Sequence, residues 1–297
     1  MTKGRLIVTM RVQTSGSSLS EARAARLGFS RVELMAVIAT VAILAALLYV
    51  AIDQAHLRVQ MANCRNNNRQ LCRAWLMYAQ ANQSLVNNFG RDEMRMEYWS
   101  RHFDNWVNGV LDWDPGEQNT NVAYIQNGLL YPYAPNPKVY RCPADNFASP
   151  VQRGQGWRHR TRSFSMNGFL GRFVLRGVDS TAKGRNPFIS EDRQFLRLSD
   201  IGQPDHTYVF IEEQADTLGD AYFWVDNDGW ADIPGAYHAH CSDLSYADGH
   251  CEFHKWHSPQ TLIPVKYQVE PHWHPTNPDG QAELQWLLQH ATVSAQQ

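Results

Sequence analysis

Residues 28–48 read GFSRVELMAVIATVAILAALL, and the apolar run continues to Ile52. From Leu34 to Ile52 the only polar side chains are the hydroxyls of Thr40 and Tyr49. As a helix this stretch rises about 28 Å, enough to cross the hydrocarbon core of a bilayer. A carboxylate, Glu33, stands at its mouth. A charge inside a membrane segment is costly and marks a partner or a function.

The flanks give the run a direction. Residues 1–27 carry Lys3, Arg5, Arg11, Arg23 and Arg26 against a single acid, Glu21. A basic flank stays on the cytoplasmic side, so the chain after Ile52 is expected outside the membrane. In a secretory signal the small cleavage-site residue follows the apolar stretch. Here Gly28 precedes it, and a cut at Gly28 leaves the apolar helix on the mature protein.

With those residues in place, GFSRVELMAVIATVAILAALL resembles the N-terminus of type IV pilins and type II secretion pseudopilins. The resemblance implies that a prepilin peptidase cuts between Gly28 and Phe29 and methylates the new amine of Phe29. Glu33 then becomes the fifth mature residue, where that family carries its glutamate. In a stack of such helices the Glu33 carboxylate neutralises the Phe29 amine of a neighbour. Either charge alone is expensive to bury, and pairing removes most of that cost. It also sets axial register, because a mis-staggered subunit strands two charges. The plainer alternative is a signal anchor with an acid at the interface.

The helix is expected to outlast the apolar run. Residues 53–82 contain neither Pro nor Gly, and Leu57, Met61, Cys64, Leu71, Trp75 and Tyr78 form a stripe on one helical face. Arg58, Arg65, Arg69 and Arg73 lie mainly off it. The reading is therefore a leader over 1–28, a transmembrane half-helix over 29–52, an amphipathic half-helix over 53–82 and a head over 83–297. A helix from Phe29 to Asn82 spans about 80 Å, and the resemblance implies the lollipop shape of a pilin. Many pilins break their first helix with Pro or Gly; residues 29–82 do not.

In the head, TYVFIEE (207–213) and AYFWVD (221–226) read as strands. LSYADGHCEFHKW (244–256) reads as a hairpin with Asp248-Gly249 as a two-residue turn, which sets Tyr246 opposite Cys251 and Leu244 opposite Phe253. AELQWLLQH (282–290) reads as a short amphipathic helix. The fold class expected is α+β, a long helix on an antiparallel-sheet head. Ten Trp, twelve Tyr and twelve Phe are expected mainly to fill its core.

CRNNNRQLCRAWLMYAQAN (64–82), VYRCPAD (139–145), RSFSMNGFLG (162–171) and FIEEQADTLGDAYF (210–223) extend the resemblance to one bacterial subgroup of prepilin-type proteins. So does His238 followed after nine residues by Asp248-Gly249. The role of that signature is undefined, and a bond from His238 near the Asp248 turn is the expected use.

Signals for chemistry in the head are thinner. Eight of the twelve histidines follow residue 237, namely His238, His240, His250, His254, His257, His272, His274 and His290. No HExxH or CxxC spacing accompanies them, so no metal is assigned. Carboxylate-dense loops at DNDG (226–229) and EEQADTLGD (212–220) are candidate Ca2+ ligands. Glu212 and Glu213 are neighbours on a strand and should face opposite ways. No GxSxG elbow or phosphate-cradling loop is present, and an enzyme is not expected. Five cysteines leave at least one without an intrachain partner. Cys64 and Cys72, about 12 Å apart along one helix, do not bridge each other.

A net charge of −2 gives no electrostatic footprint for nucleic acid. The function expected is a prepilin-like subunit of a secretion pseudopilus or pilus-like filament in the bacterial inner membrane, its head extracytoplasmic. Its partners are the prepilin peptidase, other pilin-like subunits and the inner-membrane assembly machinery. The rival is a membrane-anchored binding module that recognises carbohydrate or a surface through its aromatic-rich head.

Overall fold

Helix α1 runs Arg31–Asn82 without interruption. Its start is fixed by a capping box. The Ser30 Oγ accepts from the Glu33 N–H at 3.2 Å, and the Ser30 N–H donates to Glu33 Oε2 at 2.8 Å. It ends at the residue the sequence expects, and the chain leaves through Gln83 at φ +54, a left-handed exit that needs no glycine here. The computed structural model describes residues 29–88, 104–175, 178–179, 181–186, 192–227, 229–268 and 274–293. Gly28, the basic leader, Asp228 and His272 lie outside them.

The chain divides into a unit ending at Ile52 and a second, Asp53–Gln297. In the first unit every described residue is exposed, including the whole apolar run. Among the described residues one helix, α1, is long and apolar enough to cross a membrane. The Thr40 hydroxyl donates to the carbonyls of Ala36 and Val37 at 3.0 and 2.9 Å, so it asks nothing of its surroundings.

In the second unit part of the apolar stripe of α1 becomes core, while Leu57, Met61 and Tyr78 are half-buried. Cys64, Leu71 and Trp75 are fully buried, as are Cys72 and Ala74, which the stripe did not include. After the short helices α2 (Ala123–Gln126) and α3 (Pro150–Gly154) come strands β1 (Phe164–Asn167), β2 (Val174–Leu175), β3 (Val178–Asp179), β4 (Tyr208–Glu212), β5 (Tyr222–Phe223), β6 (Cys241–Tyr246) and β7 (Cys251–Lys255). Helix α4, Pro278–Gln289, follows. A five-stranded sheet has the order β5-β1-β4-β6-β7, and β2 pairs with β3 alone. The architecture is α+β. The sheet is mixed rather than antiparallel, because β5 pairs with β1 in parallel.

A bulge between Tyr208 and Phe210 lets β4 serve two cores. Phe210, with Phe164 and Met166 of β1, joins Cys64, Leu71 and Trp75 of α1 in one cluster. Tyr208 and Ile211, with Leu244 and Tyr246 of β6, join Leu284 and Leu287 of α4 in the other. The helix predicted at 282–290 starts four residues earlier, because Asn277 caps it through Gly280 N–H at 2.6 Å and Pro278 occupies its first turn. The strand expected over 221–226 shrinks to β5, since the Trp224 N–H turns away to Asp232 at 2.6 Å.

The hairpin register also differs from expectation. Ser245 pairs with Cys251, Leu244 with Glu252 and Asp243 with Phe253. The connection has three residues, Ala247, Asp248 and Gly249, with the Gly249 N–H returning to the Tyr246 carbonyl at 2.8 Å. Gly249 sits at φ +96, the left-handed position of a three-residue hairpin loop. One extra loop residue shifts every partner across the pair by one.

Candidate functional site

Four side chains from four separate stretches converge under the sheet. Cys64 comes from α1, Cys142 from the loop after the 3-10 turn Pro137–Tyr140, Glu212 from the end of β4, and His238 from the turn entering β6. One ligand-type atom of each lies within 4.8 Å of all the others. Cys64 Sγ donates to Glu212 Oε1 at 2.9 Å, Cys142 Sγ meets His238 Nε2 at 3.1 Å, and His238 Nε2 meets Glu212 Oε1 at 3.2 Å. All four are fully buried, so solvent does not reach them.

The surrounding chain holds each of them in place. The Asn67 amide donates to the carbonyls of Lys138 and Arg141 at 3.3 and 3.0 Å, tying the Cys142 loop to α1. Arg141 closes that loop on the Asp145 carbonyl at 2.7 Å, and the Ala144 N–H donates to Cys142 Sγ at 3.3 Å. The Asp243 N–H fixes Glu212 Oε2 at 2.8 Å. His238 is delivered by a tight turn whose central residues, Ala239 and His240, sit at φ +51 and +71. Such values favour Asn and Gly, so this turn holds its shape under strain.

The electrostatics follow from burial and crowding. Burial pulls the His238 imidazole down, but its contacts with Cys142 and Glu212 outweigh this and push it up to about 10. Burial, then the contact with Cys142 and the Glu212 charge, hold the Cys64 thiol well above its ordinary value. Burial and the Glu212 charge raise the Asp243 carboxyl in the same way. As expected, Glu213 turns away from Glu212. It lies buried beside Arg162, and burial pushes it up to about 8.

The other singled-out residues are placed as follows. Asp248 and Gly249 belong to the hairpin loop at the far end of β6 from His238, so the expected bond between His238 and that turn is not made. Asp248 instead accepts from His250 N–H and Nδ1 at 3.0 and 2.6 Å, while its own N–H donates to the Pro204 carbonyl. His250 stacks on Tyr246 at 4.3 Å, and His254 and His290 stack on Trp286 at 3.6 and 4.1 Å. Three of the seven described histidines after residue 237 are thus ring-stacked, and His238 is the one of the seven in the cluster. In the acidic loops, Asp216 accepts from Lys266 and Gln268 N–H at 2.6 and 3.2 Å, and Asp226 from Gly229 N–H at 2.8 Å. Those carboxylates hold loops together. Phe29 and Glu33 are exposed at the start of α1.

An open groove of about 610 Å³ lies along the second half of α1, lined by Asn63, Asn66, Asn67 and Gln70 with Lys138 and Arg141 opposite. The aromatic side chains described in Asp53–Gln297 are buried or half-buried.

The sequence could not reveal the cluster from spacing, since its members are separated by 78, 70 and 26 positions. The available signals were Cys64 on the apolar stripe and the placing of Cys142 and His238 within the quoted motifs. No family model, curated protein or solved structure matches the chain.

Proposed function

We propose that this chain is a membrane-anchored, prepilin-like subunit that is cleaved at Gly28–Phe29 and assembles through α1. The observation that carries the reading is the apolar run from Leu34 to Ile52, exposed on every side of its helix. A helix apolar all round requires lipid or neighbouring helices around it. The basic residues ahead of it and the Gly28, Phe29 and Glu33 spacing supply the orientation and the processing. Prepilin peptidase, further pilin-like subunits and the inner-membrane assembly machinery are its partners, and the chain after Ile52 is extracytoplasmic.

Glu33 has a local use as well, in the capping box with Ser30. Glutamine fills that capping position as glutamate does, so Glu33→Gln separates the two roles. The expected outcome is a normally inserted and processed protein that no longer forms filaments. Filaments as abundant as wild type would leave Glu33 as a helix cap only. Mass spectrometry of the mature N-terminus should find methylated Phe29, and an intact leader in cells with active peptidase overturns the reading.

A second reading rests on the groove beside Asn63, Asn66 and Gln70, whose amides suit the hydroxyls of a carbohydrate. In that reading the helix only anchors a binding module. Glycan binding that survives removal of residues 1–52 favours it, and filament loss in Glu33→Gln favours assembly.

A further inference from the structure

We infer that Cys64, Cys142, Glu212 and His238 form a four-coordinate zinc site that fastens α1 to the sheet. The inference does not depend on the assembly reading, because all four residues lie in Asp53–Gln297. Two thiolates, an imidazole nitrogen and a carboxylate oxygen are ligands that Zn2+ takes, and a closed set of four protein ligands is the pattern of a structural site.

The dimensions agree. Bonds of about 2.0 Å to oxygen or nitrogen and about 2.3 Å to sulfur place tetrahedral ligand atoms roughly 3.3–3.8 Å apart. Three of the six separations are 2.9, 3.1 and 3.2 Å, and all six lie inside 4.8 Å. A metal at the centre asks the three close pairs to open by a few tenths of an ångström.

Two outer contacts, at Cys142 and at Glu212, are also those of a metal site. The Ala144 N–H donates to Cys142 Sγ. Thiol sulfur is a weak acceptor, and a metal-bound thiolate is a far better one. The Asp243 N–H holds the second oxygen of Glu212, leaving Oε1 directed at the centre. His238 presents Nε2 to the cluster, while its Nδ1 is buried without a hydrogen-bond partner. As a ligand through Nε2, the ring is neutral and keeps its proton on Nδ1. Binding then displaces three protons to solvent, one from each thiol and one from Nε2, and no electron is transferred. The +2 ion meets two thiolates and one carboxylate, so the bound centre carries a net charge of −1.

The mechanical consequence is specific. Each ligand belongs to a different stretch, so one ion ties α1, the Cys142 loop, β4 and the strained turn before β6 together at a point that water does not enter.

The test is the metal content of the full chain, purified in detergent without chelator, desalted after exposure to equimolar Zn2+, and measured by elemental mass spectrometry. The expected result is about one zinc per chain, lost in Cys142→Ser and retained in Cys72→Ser. Replacement by Co2+ should give the intense visible bands of a tetrahedral site with a thiolate charge-transfer band, a readout that needs no variant. Chelation should lower the melting temperature by roughly 10 °C or more. A chain that stays metal-free, whether its thiols are reduced or Cys64 and Cys142 have joined in a disulfide, overturns the inference. So does zinc that remains bound in both Cys64→Ser and Cys142→Ser.

Discussion

Single residues here separate backbone need from chemical need. Gly249 belongs to the His-X9-Asp-Gly signature, yet its surroundings describe a loop requirement. It sits at φ +96, and a Cβ would meet only Leu76 Cδ1 at an ordinary 3.4 Å. Space is therefore not the obstacle; conformation is. Gly249→Ala should lower stability by about 1–2 kcal/mol, the cost of a left-handed L-residue, and Gly249→Asn by less, because Asn tolerates that region. Urea unfolding of the two variants checks this. Equal losses for Ala and Asn would mean that the site reads the absence of a side chain, as a contact surface does. His238 and Asp248 share the signature without sharing a site. The imidazole belongs to the buried cluster and the carboxylate to the His250 side of the loop. A signature of fixed spacing here reflects the length of β6, with a demand at each end.

At the scale of elements, α4 is held against β6 and β7 by a run of rings in which His254 and His290 flank Trp286. Burial holds the His254 imidazole below its ordinary 6.5, opposed by Glu252 and Glu283 and reinforced by His290 and His257. The sign follows directly. With a lowered folded pKa, the unfolded chain binds more protons as pH drops through 6.5. The stabilisation is complete above that value and is lost below it. Between about pH 7.5 and about pH 5.5 the wild type should lose melting temperature more steeply than His254→Phe, which keeps the stack and removes the proton site. Parallel slopes would remove His254 as the cause. Legibility in the sequence also divides by element. The end of α1 at Asn82 and the core strand β4 were readable, because periodicity and an apolar run are local signals. The hairpin was found but set one residue out of register, since Asp248-Gly249 fits a two-residue and a three-residue loop alike. The four-residue cluster was not readable, because it depends on which faces of α1 and β4 meet. The bulge in β4 and the strained turn at Ala239-His240 help to decide that, and neither has a pattern in the sequence.

At the scale of the molecule, one element, α1, takes part in two units with different burial. Up to Ile52 its apolar side chains are all exposed, and beyond it Cys64, Leu71, Cys72 and Trp75 are buried in a core that includes Trp106. Membrane affinity should therefore reside in the first unit, and tertiary structure, with the buried cluster, in the second. Ile43 lies at the middle of the apolar run and is exposed. An arginine at the centre of a membrane helix costs about 2.5–3.5 kcal/mol on insertion scales. Ile43→Arg should shift a substantial share of the chain out of alkaline-washed membranes, whereas Ile43→Leu should stay in place. A chain beginning at Asp53 should leave the membrane fraction altogether and keep the near-ultraviolet circular dichroism of Trp75, Trp106, Trp230 and Trp256, all of them buried in the second unit. If that truncated chain still sediments with membranes, or if Ile43→Arg is retained as firmly as wild type, the apolar run is not the anchor. Exposed on its helix, it would then have to be covered by protein.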